Sequence, residues 1–431
     1  MDTHAVGRDG VSAAELAESW PVVVEVMQRK LRNSTYEFTS YKEKLISKGA
    51  SSSPRVVSIP TARDRVVLKS LALLLAEIFP HAKTPMAQVR IVELVKEIRL
   101  GRFDSFVRID LRNFYPSIRH HVVREQLHRR IKSPALVDLF TKAISAPTVP
   151  AGAARPKLSR IVGVPQGLPI SNPLAELAMA AVDEVFSGSG KNFRYFRYVD
   201  DVLLLCFASD ANQLFDRVAS ECSRSGLTVH PIENKGKSQI GKIVDGFEYL
   251  GYRFRPDQVS VRRASVQKLE TTIVQLFSNY RHRLLEAETD HARAVLAQAT
   301  RRRLDLVIAG CVFEQVPRGW IHYFSQLTDM TLVFRLDAFV ARMVRRFDFP
   351  VNVPLKSFRR ALWHISHPKP SSSTYIPNFD KYEGVDKREF LEGLFPKEDF
   401  SHLQSHEISD RFRSEVRRLV SMMERDISAI S

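Results

Sequence analysis

Asp110 closes the apolar run Phe106-Val107-Arg108-Ile109, and Asp200-Asp201 sit between two apolar or aromatic runs within Arg194–Phe207. Carboxylates carried on neighbouring strand ends supply the oxygen ligands that hard divalent cations take. Two such ions lower the pKa of an attacking hydroxyl and neutralise the leaving oxygens in nucleotidyl transfer. If the two segments pair in one sheet, the three acids meet and that chemistry becomes available. Asp-Asp at a hairpin bend is also ordinary, because aspartate tolerates turn geometry and solvent. Taken alone, the pair decides nothing.

The surrounding elements must bring the acids together. Ala13 to Leu31 reads as a helix, and Arg55-Val56-Val57-Ser58-Ile59-Pro60 as a short strand after a small-residue turn spanning 47–54. Helices are expected over 64–79, 87–100, 118–132, 135–144, 172–186 and 210–225, a strand over 227–229 and hairpins over 194–207 and 247–254. Strands alternating with helices predict an α+β sheet domain covered by helices on one face. Beyond Val261 the pattern turns helical, over 265–287, 289–309, 320–326 and 331–347. A Pro/Ser-rich stretch at 366–373 precedes a final helical segment from Lys387, and there is no internal repeat.

The chain has 431 residues, 44% hydrophobic and 26% charged, which excludes a small disulfide scaffold and a disordered chain. Its net charge of +16 makes nucleic acid the first partner to consider. Cys206, Cys222 and Cys311 are widely separated, form no CxxC pair and read as reduced, buried thiols. The first ten residues lack a signal-peptide core, and no apolar run approaches the length of a spanning helix, so a cytoplasmic protein with no membrane partner is expected.

Six blocks, taken in order, resemble the reverse transcriptases. They are Arg55–Pro60 with Arg63-Asp64-Arg65, Asp110-Leu111-Arg112-Asn113-Phe114-Tyr115, Pro165-Gln166-Gly167 with Ser171, Tyr198-Val199-Asp200-Asp201, Asn234-Lys235-Gly236-Lys237-Ser238 and Tyr249-Leu250-Gly251-Tyr252. The resemblance covers about residues 30 to 255, with a looser helical thumb to about 350. It implies an α+β right-hand polymerase, with fingers and an antiparallel-sheet palm followed by an α-helical thumb and a C-terminal helical region. Residues 1–105 would form the N-terminal helix and fingers, and 106–256 the palm with interleaved fingers elements. Residues 257–350 would form the thumb and 351–431 the extension.

The resemblance further implies an RNA-directed DNA polymerase working with two Mg²⁺ ions, Mn²⁺ being a possible substitute. Its metal-binding group would be Asp110, Asp200 and Asp201 with the Leu111 backbone, Asp110 and Asp200 leading as direct ligands and Asp201 nearer the periphery. Lys237 would assist the leaving pyrophosphate. Lys48, Arg55, Tyr115, Gln166 and Gly167 would bind the nucleotide, with Tyr115 as the aromatic gate against a ribose 2′-hydroxyl. Tyr249, Leu250 and Gly251 would grip the primer. Arg301-Arg302-Arg303, Arg342, Arg345-Arg346 and Arg359-Arg360 are candidates for tracking a template–primer backbone. The aromatics of Arg318-Gly319-Trp320 and His322-Tyr323-Phe324 are expected to pack between helices.

No RNase H acid set, integrase or Cys/His-rich endonuclease is recognisable, and the thumb region carries no Val-Thr-Gly. The layout is most similar to stand-alone defence-associated (abortive infection) reverse transcriptases, with a core related to group II intron and retron enzymes. The partners implied are an RNA template, in the defence group a dedicated non-coding RNA, together with dNTPs and the DNA product; an oligomer is open. The alternatives are an intron-maturase-like RNA-binding reverse transcriptase and a template-independent or RNA-synthesising polymerase.

Overall fold

The structure, a computed structural model, describes residues 6–47, 53–82, 86–154, 160–187, 192–232, 237–350, 355–367, 374–395, 398–424 and 427. The first strands are β1 (Tyr41–Ile46), β2 (Arg55–Ile59), β3 (Ser105–Asp110), β4 (Thr148–Val149), β5 (Phe193–Tyr198), β6 (Asp201–Cys206) and β7 (Gln239–Lys242). The remaining strands are β8 (Phe247–Tyr249), β9 (Tyr252–Phe254), β10 (Val259–Val261), β11 (Cys311–Phe313) and β12 (Val316–Arg318). The helices run α1 (Ala13–Glu18), α2 (Trp20–Arg32), α3 (Ala62–Ile78), α4 (Ala87–Arg99), α5 (Phe114–Ser117), α6 (His120–His128), α7 (Pro134–Ser145), α8 (Ser171–Ser187) and α9 (Ala211–Arg224). They continue with α10 (Arg263–Leu284), α11 (Asp290–Ala309), α12 (Trp320–Tyr323), α13 (Met330–Arg346), α14 (Phe358–Ser366), α15 (Gly384–Leu394) and α16 (Ser405–Glu424).

Residues 2–90 and 102–242 form one compact unit; 91–101 and 243–431 form another. The first unit is built on a four-stranded antiparallel sheet in the order β5-β6-β3-β7. In β6, Val202 to Cys206 are all buried, and so are Phe106, Val107 and Ile109 of β3, so these central strands lack the alternation of a sheet with a wet face. Val107, Ile109, Val202 and Leu204 share one core with Leu174, Ala178, Met179 and Val182 of α8. Each large aliphatic side chain withdrawn from water there contributes about 1.5–3 kcal/mol. Only near the strand ends, at Arg108, Asp110 and Asp201, does the burial relax. A second sheet, β2-β1-β4, pairs β1 antiparallel to β2 and parallel to β4.

The second unit is mainly helical, with the meander β8-β9-β10 and the hairpin β11–β12. Tyr252 of β9 is fully buried against Phe254 and Phe324, and its hydroxyl donates to the Tyr323 carbonyl at 2.5 Å. Trp320 and Phe324 are buried in contact with each other, so these aromatics pack the interior as the sequence suggests.

Three local expectations are corrected. The first helix is broken at Ser19, which ends α1 and begins α2, with Pro21 in the first turn of α2 where its missing N–H costs nothing. The segment 227–229 makes one bridge, Val229 to Leu111, rather than a strand. The region after Val261 contains β11–β12, whose two turn residues Glu314 (φ 53°) and Gln315 (φ 59°) are neither glycine nor asparagine. The Asp380 carboxylate holds them there by accepting from both backbone N–H groups, at 2.8 and 2.7 Å.

Candidate active site

The β3–β6 register sets Asp110 directly opposite Asp201, and the β5–β6 register sets Tyr198 opposite Asp201, leaving Val199 and Asp200 as a two-residue loop. The loop adopts φ 54° at Val199. A β-branched residue there is a genuine outlier, and such strain, of order 1–3 kcal/mol, persists only where the surroundings enforce it. Here the enforcer is Arg197, whose Nη1 donates to the Val199 carbonyl at 2.8 Å. The same buried guanidinium bonds Glu176 at 2.6 Å and Asp183 at 2.8 and 2.5 Å, and the Tyr195 hydroxyl donates to Asp183 at 2.8 Å.

The three acids are not equivalent. Asp201 accepts a two-pronged bond from Arg108, at 3.0 and 2.9 Å. Asp110 lies 2.9 Å from the Lys237 ammonium and 3.6 Å from His230 Nε2, and its backbone N–H donates to Ser238 Oγ at 3.3 Å. Asp200 is raised from the ordinary 3.8 to about 6, chiefly by burial and then by the Asp201 charge, with Asp110 adding to the rise and Arg55 opposing it. Burial holds the His230 imidazole below its usual range, and Arg112 Nε donates to its Nδ1 at 3.4 Å.

The Asp200 shift has a consequence for stability. The folded state binds the Asp200 proton more tightly than the unfolded chain, so stability falls as pH rises from about 4 through about 6, and the penalty is complete above that. In metal-free buffer at pH 8, Asp200→Asn is expected to stabilise the protein by on the order of 2–3 kcal/mol, with the gain vanishing below pH 4. Urea melts of both proteins in EDTA at the two pH values check this; equal midpoints at pH 8 would remove the buried-charge claim.

Of the other candidates, Tyr115 and Arg55 lie in the electrostatic neighbourhood of Asp200, and Gln166 and Gly167 sit against β2. After Asp110 the chain turns through Asn113 (φ 45°) into α5, which carries Tyr115. Burial, then the Asp200 charge, raises the Tyr115 hydroxyl, and Arg55 counters, so the three lie in one electrostatic neighbourhood. That hydroxyl donates to Asn172 Oδ1 at 2.7 Å. The Gln166 carbonyl accepts from the Ser58 N–H at 2.7 Å, tying its loop to β2. Gly167 (φ 97°) fits where a Cβ would stand 2.7 Å from Val57 Cγ1, a contact no other residue tolerates without displacement. The bonds that make the Leu111–Val229 bridge run from Arg112 N–H to Thr228 and from His230 N–H to Asp110, so the Leu111 carbonyl takes no part in it.

Other expected residues stand elsewhere. Lys48 and 234–236 lie outside the described residues. Tyr249, Leu250 and Gly251 belong to the second unit and are buried; the Leu250 carbonyl accepts from Tyr323 and the Gly251 carbonyl from the Arg262 N–H. Of the arginines proposed to track a backbone, Arg302 donates to the Glu389 carbonyl at 2.9 Å and Arg360 stacks over Tyr375 at 4.7 Å. Sequence reasoning missed Arg108, Arg197 and His230. Arg108 had a usable signal, a cation two residues before an acid on one strand and therefore on the same face; the other two had none.

Asp110 and Asp200 themselves offer carboxylate oxygens, and the like-charge burden on Asp200 is what a divalent cation relieves. Among the described residues no group of three or more His, Cys, Asp and Glu forms a ready cage. A sparse carboxylate set suits Mg²⁺, which keeps waters and binds substrate phosphates.

The hairpin of β5 and β6 thus sets Asp200 and Asp201 beside Asp110 at one end of the sheet, with Tyr115 and Arg55 in their electrostatic neighbourhood. Residues 42–254 match the reverse transcriptase (RNA-dependent DNA polymerase) family, and this part of the chain belongs to it. The whole is a mixed α/β polymerase fold with C-terminal helices, and the protein is an enzyme of that polymerase family. It is 22% identical over 296 residues to Protein YkfC of Escherichia coli K12, covering 58% of this chain and 76% of that protein. Among solved structures it is similar to apo telomerase from Candida tropicalis truncated from its C-terminal domain, at 14% identity and TM-score 0.40 over 52% of this chain. It is also similar to Candida albicans telomerase in complex with a TWJ fragment of telomeric RNA, at 14% identity and TM-score 0.41 over 81% of this chain. The chain covers 55% of the first telomerase chain and 67% of the second. No helix among the described residues is long and apolar enough to cross a membrane.

Proposed function

We propose that the protein extends a primer 3′-hydroxyl with dNTPs on an RNA template. The observation that carries this reading is the pairing of Asp110 with Asp201 across β3–β6, with Asp200 on the adjoining strained loop. Asp110 and Asp200, with the Leu111 carbonyl, would hold Mg²⁺ or Mn²⁺, which when bound supplies charge neutralisation to the reacting hydroxyl and phosphates. Arg108 holds Asp201 in place, which suits a supporting role for that acid. Arg55 presents a guanidinium to the triphosphate, whose oxygens accept its donors in pairs. The half-exposed Lys237 keeps a proton donor beside the acids, available to the leaving pyrophosphate. Gln166 and Gly167 shape the nucleotide's edge of the pocket.

Purified protein with primed RNA, Mg²⁺ and dNTPs is expected to extend the primer, and Asp200→Ala with Asp201→Ala to abolish extension. Wild-type activity equal to that of the double variant defeats the assignment. Tyr115 serves as the sugar gate, its ring anchored by Asn172 and set beside Asp200. Tyr115→Val is expected to raise ribonucleotide incorporation roughly ten- to hundredfold, the worth of a contact of about 1–3 kcal/mol. Competition between dNTP and rNTP on one template reads it directly; unchanged selectivity removes the gate.

The layout shared with stand-alone defence enzymes supports a role in phage defence with a dedicated non-coding RNA. Sequencing the RNA that copurifies with the protein, and its DNA product, tests this. One recurrent RNA species supports it, and a random transcript pool or the host intron of a maturase opposes it.

A further inference from the structure

We infer that His120 is a positioning residue of the nucleotide pocket: by gripping the peptide that joins Gly163 to Val164 it sets the place of Tyr115, and with it how strictly the sugar is read. This role deepens the reading of Tyr115 as the sugar gate and rests on it. His120 opens α6 in the first unit and is buried, only 5% exposed.

A buried imidazole is unfavourable unless its nitrogens are paired, and here both are. Nε2 lies 2.8 Å from the Gly163 carbonyl oxygen, and Nδ1 lies 3.3 Å from Ser145 Oγ at the end of α7. A carbonyl only accepts, so the single proton of the neutral ring sits on Nε2, and the Ser145 hydroxyl donates to Nδ1. Burial holds the imidazole below its usual range, with the bond to Gly163 opposing, so the ring is neutral at pH 7 and above.

The Gly163 carbonyl and the Val164 N–H belong to one planar peptide unit. His120 holds its oxygen, and its N–H donates to the Tyr115 carbonyl at 2.8 Å. Turning that plane turns the hydrogen bond that locates the Tyr115 backbone. The neighbouring ties run backbone to backbone, from His120 N–H to the Ile161 carbonyl at 3.2 Å and from Gly163 N–H to the Ile118 carbonyl at 2.8 Å. Gly163 (φ 97°) lies so close to the gate segment that a Cβ there would stand 3.2 Å from the Pro116 carbonyl. Further along, the same loop carries Gln166, whose carbonyl is bound by Ser58, so gate and nucleotide edge share one anchored segment. Asn172 fixes the hydroxyl end of Tyr115, which leaves the backbone end to this peptide. Misplacement by about 1 Å at a reacting pocket costs up to about a hundredfold, so a small rotation of the plane is enough to be read.

The full chain is assayed for single-nucleotide extension of a primed RNA template with one dNTP and the matching rNTP, giving kcat and KM for each. The ratio of the two kcat/KM values does not depend on how much of a preparation is folded, so a purely structural role leaves it unmoved. His120→Asn keeps a polar group near Nδ1 for Ser145 but stops short of Gly163, whereas His120→Gln reaches Gly163 with an amide N–H. His120→Asn is expected to lower the dNTP preference about three- to tenfold, chiefly through KM, the worth of one neutral hydrogen bond. His120→Gln is expected to stay within about twofold of the wild type. In a Tyr115→Val background, His120→Asn should change the preference no further, because residues acting through one contact are not additive. A wild-type preference in His120→Asn, a His120→Gln variant equally impaired, or full additivity with Tyr115→Val overturns the positioning role. Tyr115→Val without effect on the preference defeats the gate reading itself and this role with it, so the two failures are told apart.

Discussion

Asp110→Asn, and separately Asp200→Asn, should reduce single-turnover primer extension by about 10³-fold or more, equivalent to at least about 4 kcal/mol of transition-state stabilisation. Asparagine keeps the shape of the side chain and removes the charge, so the loss reports on the anionic oxygens. The two variants differ in a way that protects the interpretation. Asp200→Asn relieves a buried like-charge cluster and should make the metal-free protein more stable, so its inactivity cannot be ascribed to unfolding. Asp110→Asn breaks the 2.9 Å pair with half-exposed Lys237, a modest structural loss. Asp201→Asn releases Arg108 and should cost less activity than either. Extension within tenfold of wild type in Asp110→Asn would sink the assignment of this carboxylate to the chemistry.

Arg197→Met should destabilise the first unit by about 3–5 kcal/mol, because it leaves Glu176 and Asp183 buried or half-buried without their cation. It also removes the donor to the Val199 carbonyl, so the strained loop that carries Asp200 loses its clamp. Stability and activity should then separate on rescue. Adding Glu176→Gln and Asp183→Asn neutralises the stranded acids and should recover much of the urea midpoint. Extension should stay low, since nothing replaces the clamp on the loop. Recovery of both together would show that Arg197 acts through stability alone.

Much of the site was legible because its chemistry is local. Apolar runs ending in carboxylates placed Asp110 on a strand end and Asp200-Asp201 at a hairpin, and a β-hairpin's register follows from loop length once both strands are identified. The glycine of Pro165-Gln166-Gly167 was likewise marked by its type, since a positive φ and a close approach to β2 both demand it. The clamp behind the loop was not legible. Arg197, Glu176 and Asp183 come from a strand and a helix, and no pattern in either announces that three charges meet in the interior. Only the helix-on-sheet packing of the core decides that.

The hairpin Cys311–Arg318 shows the same division. Its turn carries Glu314 and Gln315 in a conformation their own preferences disfavour, and the Asp380 carboxylate, more than sixty residues later, fixes it from outside. Sequence by itself determined the polymerase motifs, the acids and the basic character, because residue type and short-range period carry that information. Tertiary structure decided which acid is paired with an arginine and which has its charged form disfavoured by burial and a neighbouring carboxylate, and where the compact units part between Lys242 and Ile243. Electrostatic energy depends on distance and burial, and those are set by packing between segments remote along the chain.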